Sequence, residues 1–481
     1  MDPRTSLRRR VGDTPLLKSP SLAKAIGLPK LHLKMEGSNP TGTQKDRIAR
    51  LEVGYAVGRG AKGVSVASCG NFGVAVAHAA FVHEVPCHVF VPEDFTGERV
   101  RLMEDLLAEV HRVPGTYEDA VQASREHARR EGWFDANPGG ANTLRTLAGY
   151  SKIAEEIVNR LGETPRAVGL PIGNGSTLAG VHLGFHTAWA QGRAKSVPRI
   201  FGGTSQGNNP VPIALARGQE TVTPLDPRSI EETAVNEPLV NWDALDAVAC
   251  LTAIQDSEGF AWGFTDDELM ELHQAITEDG VDAHPSSLAA VAALKRAREE
   301  GLLTEEDAVV AVMTTGRPQI QVERMSEPQE MDAFLKRLTG YLGRFGDPKN
   351  EMEQAVRVAF DGGFVLEARD KEGPLGYDVI TPMELSEFFP KYHLSYIAVS
   401  ERARGRGIGT VLMEEAIRVT EGDLSLHVET DNASAIRLYE KFGFQKKYYR
   451  MLYKGSRAAK VRTAAGSGWT HEEPELIEKT A

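Results

Sequence analysis

Short apolar runs that end in small-residue turns, each feeding an amphipathic stretch, recur through the first part of this chain. Residues 31–35, 63–67, 87–91, 167–171 and 308–313 read as strands, while 100–107 and 120–130 carry helical spacing. Such alternation commits a chain to an α/β fold on a parallel sheet, because each parallel strand must be reached by a crossover. At 481 residues the chain holds two or three domains.

The turn that most shapes the chemistry is Asn39-Pro40-Thr41-Gly42. Asn and Gly tolerate positive φ and Pro pre-sets its own. A strand before it and a helix from Asp46 onward put Lys45 at a helix N-terminus, where the peptide dipole disfavours an added cation. That position favours the amine that condenses with an aldehyde. A solvated surface lysine is the competing reading. Two further turns join a strand to a helix: Ala67-Ser68-Cys69-Gly70-Asn71-Phe72-Gly73, whose backbone N–H groups suit a carboxylate, and Gly173-Asn174-Gly175-Ser176-Thr177, which suits an anion at a helix start.

The stretch from Asn39 through Arg47 resembles the Schiff-base segment of fold-type II pyridoxal-phosphate (PLP) enzymes, the group of threonine synthase, cysteine synthase and threonine dehydratase. Asp13-Thr14-Pro15-Leu16-Leu17 resembles the entry segment of that family. The resemblance implies that Lys45 is the cofactor lysine and that Asn71 faces the cofactor. It implies a substrate-carboxylate clamp of Ser68, Gly70, Asn71 and Phe72, and a phosphate loop of Gly173, Asn174, Gly175, Ser176 and Thr177. Thr315, in Met313-Thr314-Thr315-Gly316, matches the family's hydroxyl at the pyridine nitrogen. A smaller subdomain at about 50–145 would move over the site. Three positions depart from the pattern: Cys69 for Ser, Phe72 for Thr, and His284 for Glu in His284-Pro285-Ser286-Ser287. Phe72 loses a hydroxyl contact, which bears on substrate identity. Cys69 reads as a small, partly buried, unreactive residue, and His284 as a minor specificity candidate.

After Pro318 the character changes. Residues 322–352 read as the first helices of a second domain, and 362–368 with 375–380 as a hairpin. A strand at 394–399 then leads into Arg404-Gly405-Arg406-Gly407-Ile408-Gly409 and a helix through Ile417. That loop, together with the stretch from Val428 to Phe444, resembles the GNAT acetyltransferases over about 325–454. The resemblance implies acetyl-CoA held by Val399, Arg404, Gly405, Arg406, Gly407, Ile408, Gly409 and Asn432, with Tyr439 protonating the departing thiolate. Tyr439 also shares an apolar helical face with Ala435, Leu438 and Phe442, so packing competes with catalysis. No residue stands out as general base; Glu401 and Glu429 are possible.

Composition bounds the rest. A net charge of −12 argues against a nucleic-acid partner. Three scattered cysteines, Cys69, Cys87 and Cys250, give neither a disulfide framework nor a Cys-rich metal site, and no metal is expected. Met1-Asp2-Pro3-Arg4 lacks the apolar core of a signal peptide and no apolar run is long enough to span a membrane, so the cytoplasm is the expected compartment.

The expectation is therefore a bifunctional enzyme. A tryptophan synthase β-like two-subdomain α/β PLP module spans 1–321, a GNAT α+β domain 322–454 and a flexible tail 455–481. The PLP module would carry out a β or γ elimination or replacement on a small amino acid. The GNAT domain would N-acetylate the amino-acid product or, less favoured, O-acetylate a hydroxyl amino acid. The alternative is an amino-acid dehydratase, or ammonia-lyase, whose GNAT domain is an acetyl-CoA-binding regulatory module. By family resemblance the chain would be a homodimer acting on small molecules.

Overall fold

The computed structural model describes residues 11–95, 97–370, 372–383 and 390–447; the chain start at 1–4 and the tail expected at 455–481 lie outside them. Among the described residues, one compact unit spans 11–319, and a second is built from 320–404 and 408–447.

The first unit begins β1 (Leu16–Lys18), α1 (Pro20–Ile26), β2 (Leu31–Met35), α2 (Lys45–Gly58), β3 (Val64–Ala67), α3 (Asn71–His83) and β4 (Cys87–Pro92). It continues α4 (Glu98–Asp105), β5 (Glu109–Val113), α5 (Tyr117–Glu131), β6 (Phe134–Asp135), α6 (Thr143–Leu161), β7 (Ala167–Pro171) and α7 (Ser176–Ala190). There follow β8 (Arg199–Ser205), α8 (Val211–Ala216), α9 (Ala247–Asp256), β9 (Phe260–Phe264) and α10 (Asp266–Glu278). The unit closes with β10 (Val281–Asp282), α11 (Ala289–Glu299), β11 (Val309–Met313) and β12 (Arg317–Pro318).

Two sheets organise it. The larger runs β1-β2-β11-β7-β8-β9, parallel except for the edge strand β1. Every residue of β7 and β11 is buried, as a central parallel strand covered on both faces requires; their Ala-Val-Gly-Leu-Pro and Val-Val-Ala-Val-Met sequences carry no charge. The smaller sheet, β5-β4-β3-β6, is wholly parallel and packs with α3, α4 and α5. Helix starts follow local chemistry. Capping boxes at Thr116/Asp119 and Thr265/Glu268 each satisfy backbone N–H groups that the first turn leaves open.

The second unit contains β13 (Gln321–Arg324), α12 (Met331–Leu342), α13 (Lys349–Gly362), β14 (Phe364–Asp370), β15 (Gly373–Pro382), β16 (Tyr392–Val399), α14 (Ile408–Val419), β17 (Leu424–Leu426) and α15 (Ala433–Lys441). Its sheet runs β13-β14-β15-β16-β17, antiparallel until the parallel β16–β17 pair. The sequence reads residues 322–352 as helical from the outset, and here the structure differs. Residues 321–324 form an edge strand paired with β14, with Val322 packed against the unit's core and its neighbours exposed.

Candidate functional site

The first site is built at one end of the larger sheet. β2, β11 and β7 lie side by side and parallel, with Met313 opposite Met35 and Ala311 opposite Gly169. The segments leaving their C-terminal ends carry Lys45, Thr315 and the Gly173–Thr177 turn. The Asn39–Gly42 turn closes through Gly42 N–H donating to Asn39 O at 3.0 Å, with Gly42 at φ +90°. Asp46 accepts from Thr41 N–H and Thr41 Oγ1 at 2.8 and 2.9 Å, fixing the entry into α2. This turn lies hard against the segment after β11. A Cβ on Gly37 would meet Gly316 N at 2.2 Å, and the Arg317 guanidinium donates to Gly37 O and Asn39 O at 2.8 and 3.0 Å. Gln44 N–H donates to Thr314 O, so the residue before Lys45 is tied to the residue before Thr315.

Lys45 is the first residue of α2 and is half-buried. Its Nζ lies 6.0 Å from the centroid of the Tyr150 ring. Tyr150 is fully buried, and its hydroxyl lies beside Lys45 and Thr177 without closing a hydrogen bond. Burial raises the phenol's pKa, and the nearby lysine opposes that. Glu52, farther along α2, has its pKa raised to about 8 by burial; Thr146 Oγ1 donates to Oε1 at 3.2 Å and Oε2 has no partner. Neither Tyr150 nor Glu52 figures in the sequence reading. The sequence signal for Glu52 is a carboxylate on the helix face that carries Ile48, Ala49 and Ala56, three or four residues away on either side.

In the Gly173–Thr177 turn, polar groups are tied outward. Gly173 O accepts from Asn209 Nδ2, Asn174 O from Asp246 N–H, and Asn174 Oδ1 from Asn241 Nδ2 and Leu245 N–H. Ser176 Oγ donates to the Asp246 carboxylate. A Cβ on Gly173 would meet Pro238 O, and one on Gly175, at φ +88°, would meet Cys250 Cβ, both at 2.7 Å. Side chains and carbonyls thus face the protein, while the N–H groups of the first turn of α7 have no intrahelical acceptor. The cradle fits a phosphate.

Asn71 is the first residue of α3, with Gly70 as its cap. Ser68 is buried, and its Oγ accepts from Gly70 N–H and Gly73 N–H at 3.3 and 3.0 Å, so its hydroxyl shapes the loop from within. Phe72 is buried in the core of this unit, so that side chain packs instead of facing a ligand. Cys69 has its pKa raised by burial, opposed by Arg99, which suits an unreactive thiol. Arg99, from α4, stands over this loop with Nη1 4.0 Å from where a Gly70 Cβ would be, and it pairs with Glu237 at 3.3 Å. The sequence reading misses this cation. Burial lowers the pKa of His284, and Arg99 is among the charges that bear on it. His284 Nδ1 lies 2.8 Å from Ser286 Oγ, and its backbone N–H donates to Thr315 Oγ1 at 3.0 Å. Thr315 Oγ1 also lies 2.7 Å from Ser287 Oγ. The structure therefore gives His284 a turn-forming role beside Thr315.

Beneath the site lies a buried ion network that the sequence reading also leaves unassigned. Arg47 donates to Glu36 through Nη2 at 2.8 Å and to Glu156 through Nη1 and Nη2 at 2.8 and 2.9 Å. Lys34, fully buried, donates to Glu156 and to Thr14 O. Burial opposes the charges on Lys34, Arg47 and Glu156. The carboxylates nevertheless hold Arg47 protonated, and Arg47 with Lys34 holds Glu156 ionised well below the usual carboxylate range.

In the second unit, β17 pairs with β16 only from Tyr392 to Leu394. Among the described residues, 395–399 thus have a partner strand on one side only, where Gly376 is opposite Val399. Gly405 and Gly407 adopt φ +78° and +84° just before α14, which starts at Ile408. A Cβ on Gly409 would meet Leu438 at 3.2 Å and Val399 at 3.9 Å, bringing the start of α14, β16 and α15 together. The side chain of Arg404 reaches Tyr341 O, and Arg406 is half-buried. Asn432 caps α15, its Oδ1 accepting from Ala435 N–H at 3.1 Å. Tyr439 is buried in the apolar cluster, and burial, then Asp378, raises its pKa. Asp378 on β15 is fully buried with both oxygens unpartnered, and burial raises its pKa well above the carboxylate range. It is a further residue missed from sequence, although an Asp between Tyr377 and Val379 in an apolar strand is itself a signal.

Residues 7–315 match the family model described as pyridoxal-phosphate dependent enzyme, and residues 333–444 match that of the acetyltransferase (GNAT) family. The chain is 30% identical over 332 residues to a threonine synthase of Methanosarcina acetivorans, covering 67% of this chain and 80% of that protein. It is 31% identical over 309 residues to a threonine synthase of Synechocystis, covering 63% and 74%. Among solved structures, the processed form of threonine deaminase isoform 2 from Solanum lycopersicum superposes with a TM-score of 0.55 at 19% identity, covering 65% of this chain and 82% of that one. Serine racemase from Dictyostelium discoideum gives 0.53 at 20%, covering 65% and 95%. At those identities the likeness is one of fold.

Proposed function

We propose that this chain, which belongs to the pyridoxal-phosphate dependent enzyme family, eliminates or replaces a leaving group at Cβ or Cγ of a small amino acid, in the manner of a threonine synthase. The observation that supports this best is the meeting of three segments at the C-terminal ends of β2, β11 and β7, carrying Lys45, Thr315 and the Gly173–Thr177 turn. Open α/β sheets bind ligands at such ends.

Pyridoxal phosphate, when bound, supplies an electron sink for charge developing at the substrate Cα. Lys45 would hold the cofactor through Nζ and, as the amine set free once the substrate amine has taken its place, would take the Cα proton. The N–H groups of residues 173–177 hold the phosphate. The backbone of 68–73 grips the substrate carboxylate with Asn71 beside the ring, and Arg99 adds positive charge over that loop. Thr315 Oγ1 accepts from His284 N–H and shares a hydrogen bond with Ser287 Oγ; with Ser287 as the donor, the Thr315 proton would be left to face an uncharged ring nitrogen. An uncharged ring is a weaker sink, suited to elimination and replacement more than to transamination.

Residues 322–454 form the second catalytic module in this reading. Acetyl-CoA lies along the one-sided edge of β16, with its pyrophosphate at the start of α14 and its thiolate near Tyr439. The acceptor is the amine of the amino acid that the first module makes. The protein works in the cytoplasm as a homodimer, and residues 50–145 close over the first site.

The test is a visible absorption spectrum of the purified protein with added pyridoxal phosphate, titrated with O-phosphohomoserine, O-phosphoserine and O-acetylserine. The cofactor band should vanish in Lys45→Ala and shift with one of these substrates. Release of a keto acid with no nucleophile incorporated would instead establish the dehydratase reading. Tyr439→Phe should lower acetyl transfer at least ~10²-fold; unchanged transfer would assign Tyr439 to packing alone.

A further inference from the structure

Away from both sites, helix α7 carries His182 and His186 one turn apart, so both imidazoles share a helix face. Asp256, the last residue of α9, faces them. His186 Nε2 lies 2.8 Å and His182 Nε2 3.5 Å from Asp256 Oδ2, and the three atoms all lie within 4.8 Å of one another. The rings meet edge to face with centroids 4.5 Å apart. His182 is only 7% exposed, and its Nε2 has no hydrogen-bond partner. An unpartnered buried ring nitrogen is unfavourable unless something else satisfies it.

We propose that His182 Nε2, His186 Nε2 and the Asp256 carboxylate bind one divalent transition-metal ion, zinc or a first-row neighbour, which clamps α7 to α9. Two imidazoles select such ions over calcium or magnesium, which prefer oxygen. Metal–ligand bonds of about 2.0–2.2 Å put neighbouring ligand atoms a little over 3 Å apart in a tetrahedron, a spacing that small side-chain rotations reach here. The carboxylate is surface-exposed, so water fills the remaining position. Two histidines four apart on a helix are a known zinc-binding spacing, and Val181-His182-Leu183-Gly184-Phe185-His186 shows it in sequence. The clamp has a clear place in the fold. α7 and α9 pack against each other, and at their N-terminal ends Ser176 already bonds Asp246, the cap of α9. Ten residues on in each helix, His186 and Asp256 meet, so an ion ties the far ends of a parallel pair whose near end forms the Gly173–Thr177 turn.

His88, Glu109 and His111 form another such group among the described residues, but there His111 Nε2 already lies 3.0 Å from His88 Nδ1. It serves as the control. Untagged full-length protein, stripped with chelator and reloaded with pyridoxal phosphate, is titrated with zinc chloride by calorimetry and with cobalt chloride by absorption. One equivalent of zinc should bind and raise the melting temperature. His182 is buried and its loss leaves a cavity, so the surface ligands carry the test. His186→Ala and Asp256→Asn should each weaken zinc at least ~10-fold, no less than loss of an outer-shell partner does, and abolish the cobalt bands, while His111→Ala leaves both intact. No zinc bound by the unmodified chain, equal binding in both ligand variants, or loss only in His111→Ala would each overturn the proposal.

Discussion

Glu52 holds its proton in the folded chain up to about pH 8, whereas an unfolded glutamate releases it near 4.5. Between those values the folded state binds the extra proton, so stability is fullest below the lower value and falls as pH rises toward the higher one. The loss is on the order of a few kcal/mol across the window. Glu52→Gln should remove that slope, and urea midpoints measured from pH 5 to 9 check it. Asp378 has the same sign, since burial keeps it protonated and stability falls as pH climbs above its unfolded value. Asp378→Asn should keep the melting temperature at pH 6 within a few degrees and lessen its fall at pH 9. A drop in acetyl transfer without such loss of stability would put this carboxyl in proton handling beside Tyr439.

At the level of elements, the contact between the turn after β2 and the segment after β11 is the tightest constraint on the first site. A methyl at Gly37 meets the backbone of the Thr315–Gly316 segment, with Gly316 N and O and Thr315 C all within 2.6 Å, and backbone cannot rotate away. Gly37→Ala should therefore push the segments of Lys45 and Thr315 apart. Cofactor binding should weaken at least ~10-fold, alongside a stability loss of about 1–3 kcal/mol, read by fluorescence titration and thermal melting. Elements of this kind differ in how far sequence reveals them. β2, β7, β11 and α2 are legible because their apolar runs are bounded by Gly- and Pro-rich turns. β13 is not, because a four-residue edge strand embedded in charge looks like helix until its partner β14 is known. Arg99, Tyr150 and Glu156 escape for a related reason. Each approaches the site from an element distant in sequence, and nothing local marks an arginine on α4 or a glutamate on α6 as facing inward. Ser68 and Asn174 are legible as loop residues, yet their side-chain bonds to the loop or its neighbours appear only in three dimensions.

For the molecule as a whole, two compact units with separate cores lead to two expected transitions in calorimetry. Pyridoxal phosphate should raise one and acetyl-CoA the other, each by mass action on the unit that binds it. A single transition moved by both ligands would contradict independent modules. The edge of β16 adds a consequence of its own. Among the described residues this row of backbone groups has a strand on one side only, and such a row can be completed by whatever extended chain comes first, including a strand from another copy of the protein. A bound acyl donor would occupy that row as a stand-in strand. Concentrated protein held without coenzyme A should then slowly self-associate through its second unit, and light scattering with and without coenzyme A would reveal the donor as a guard against aggregation.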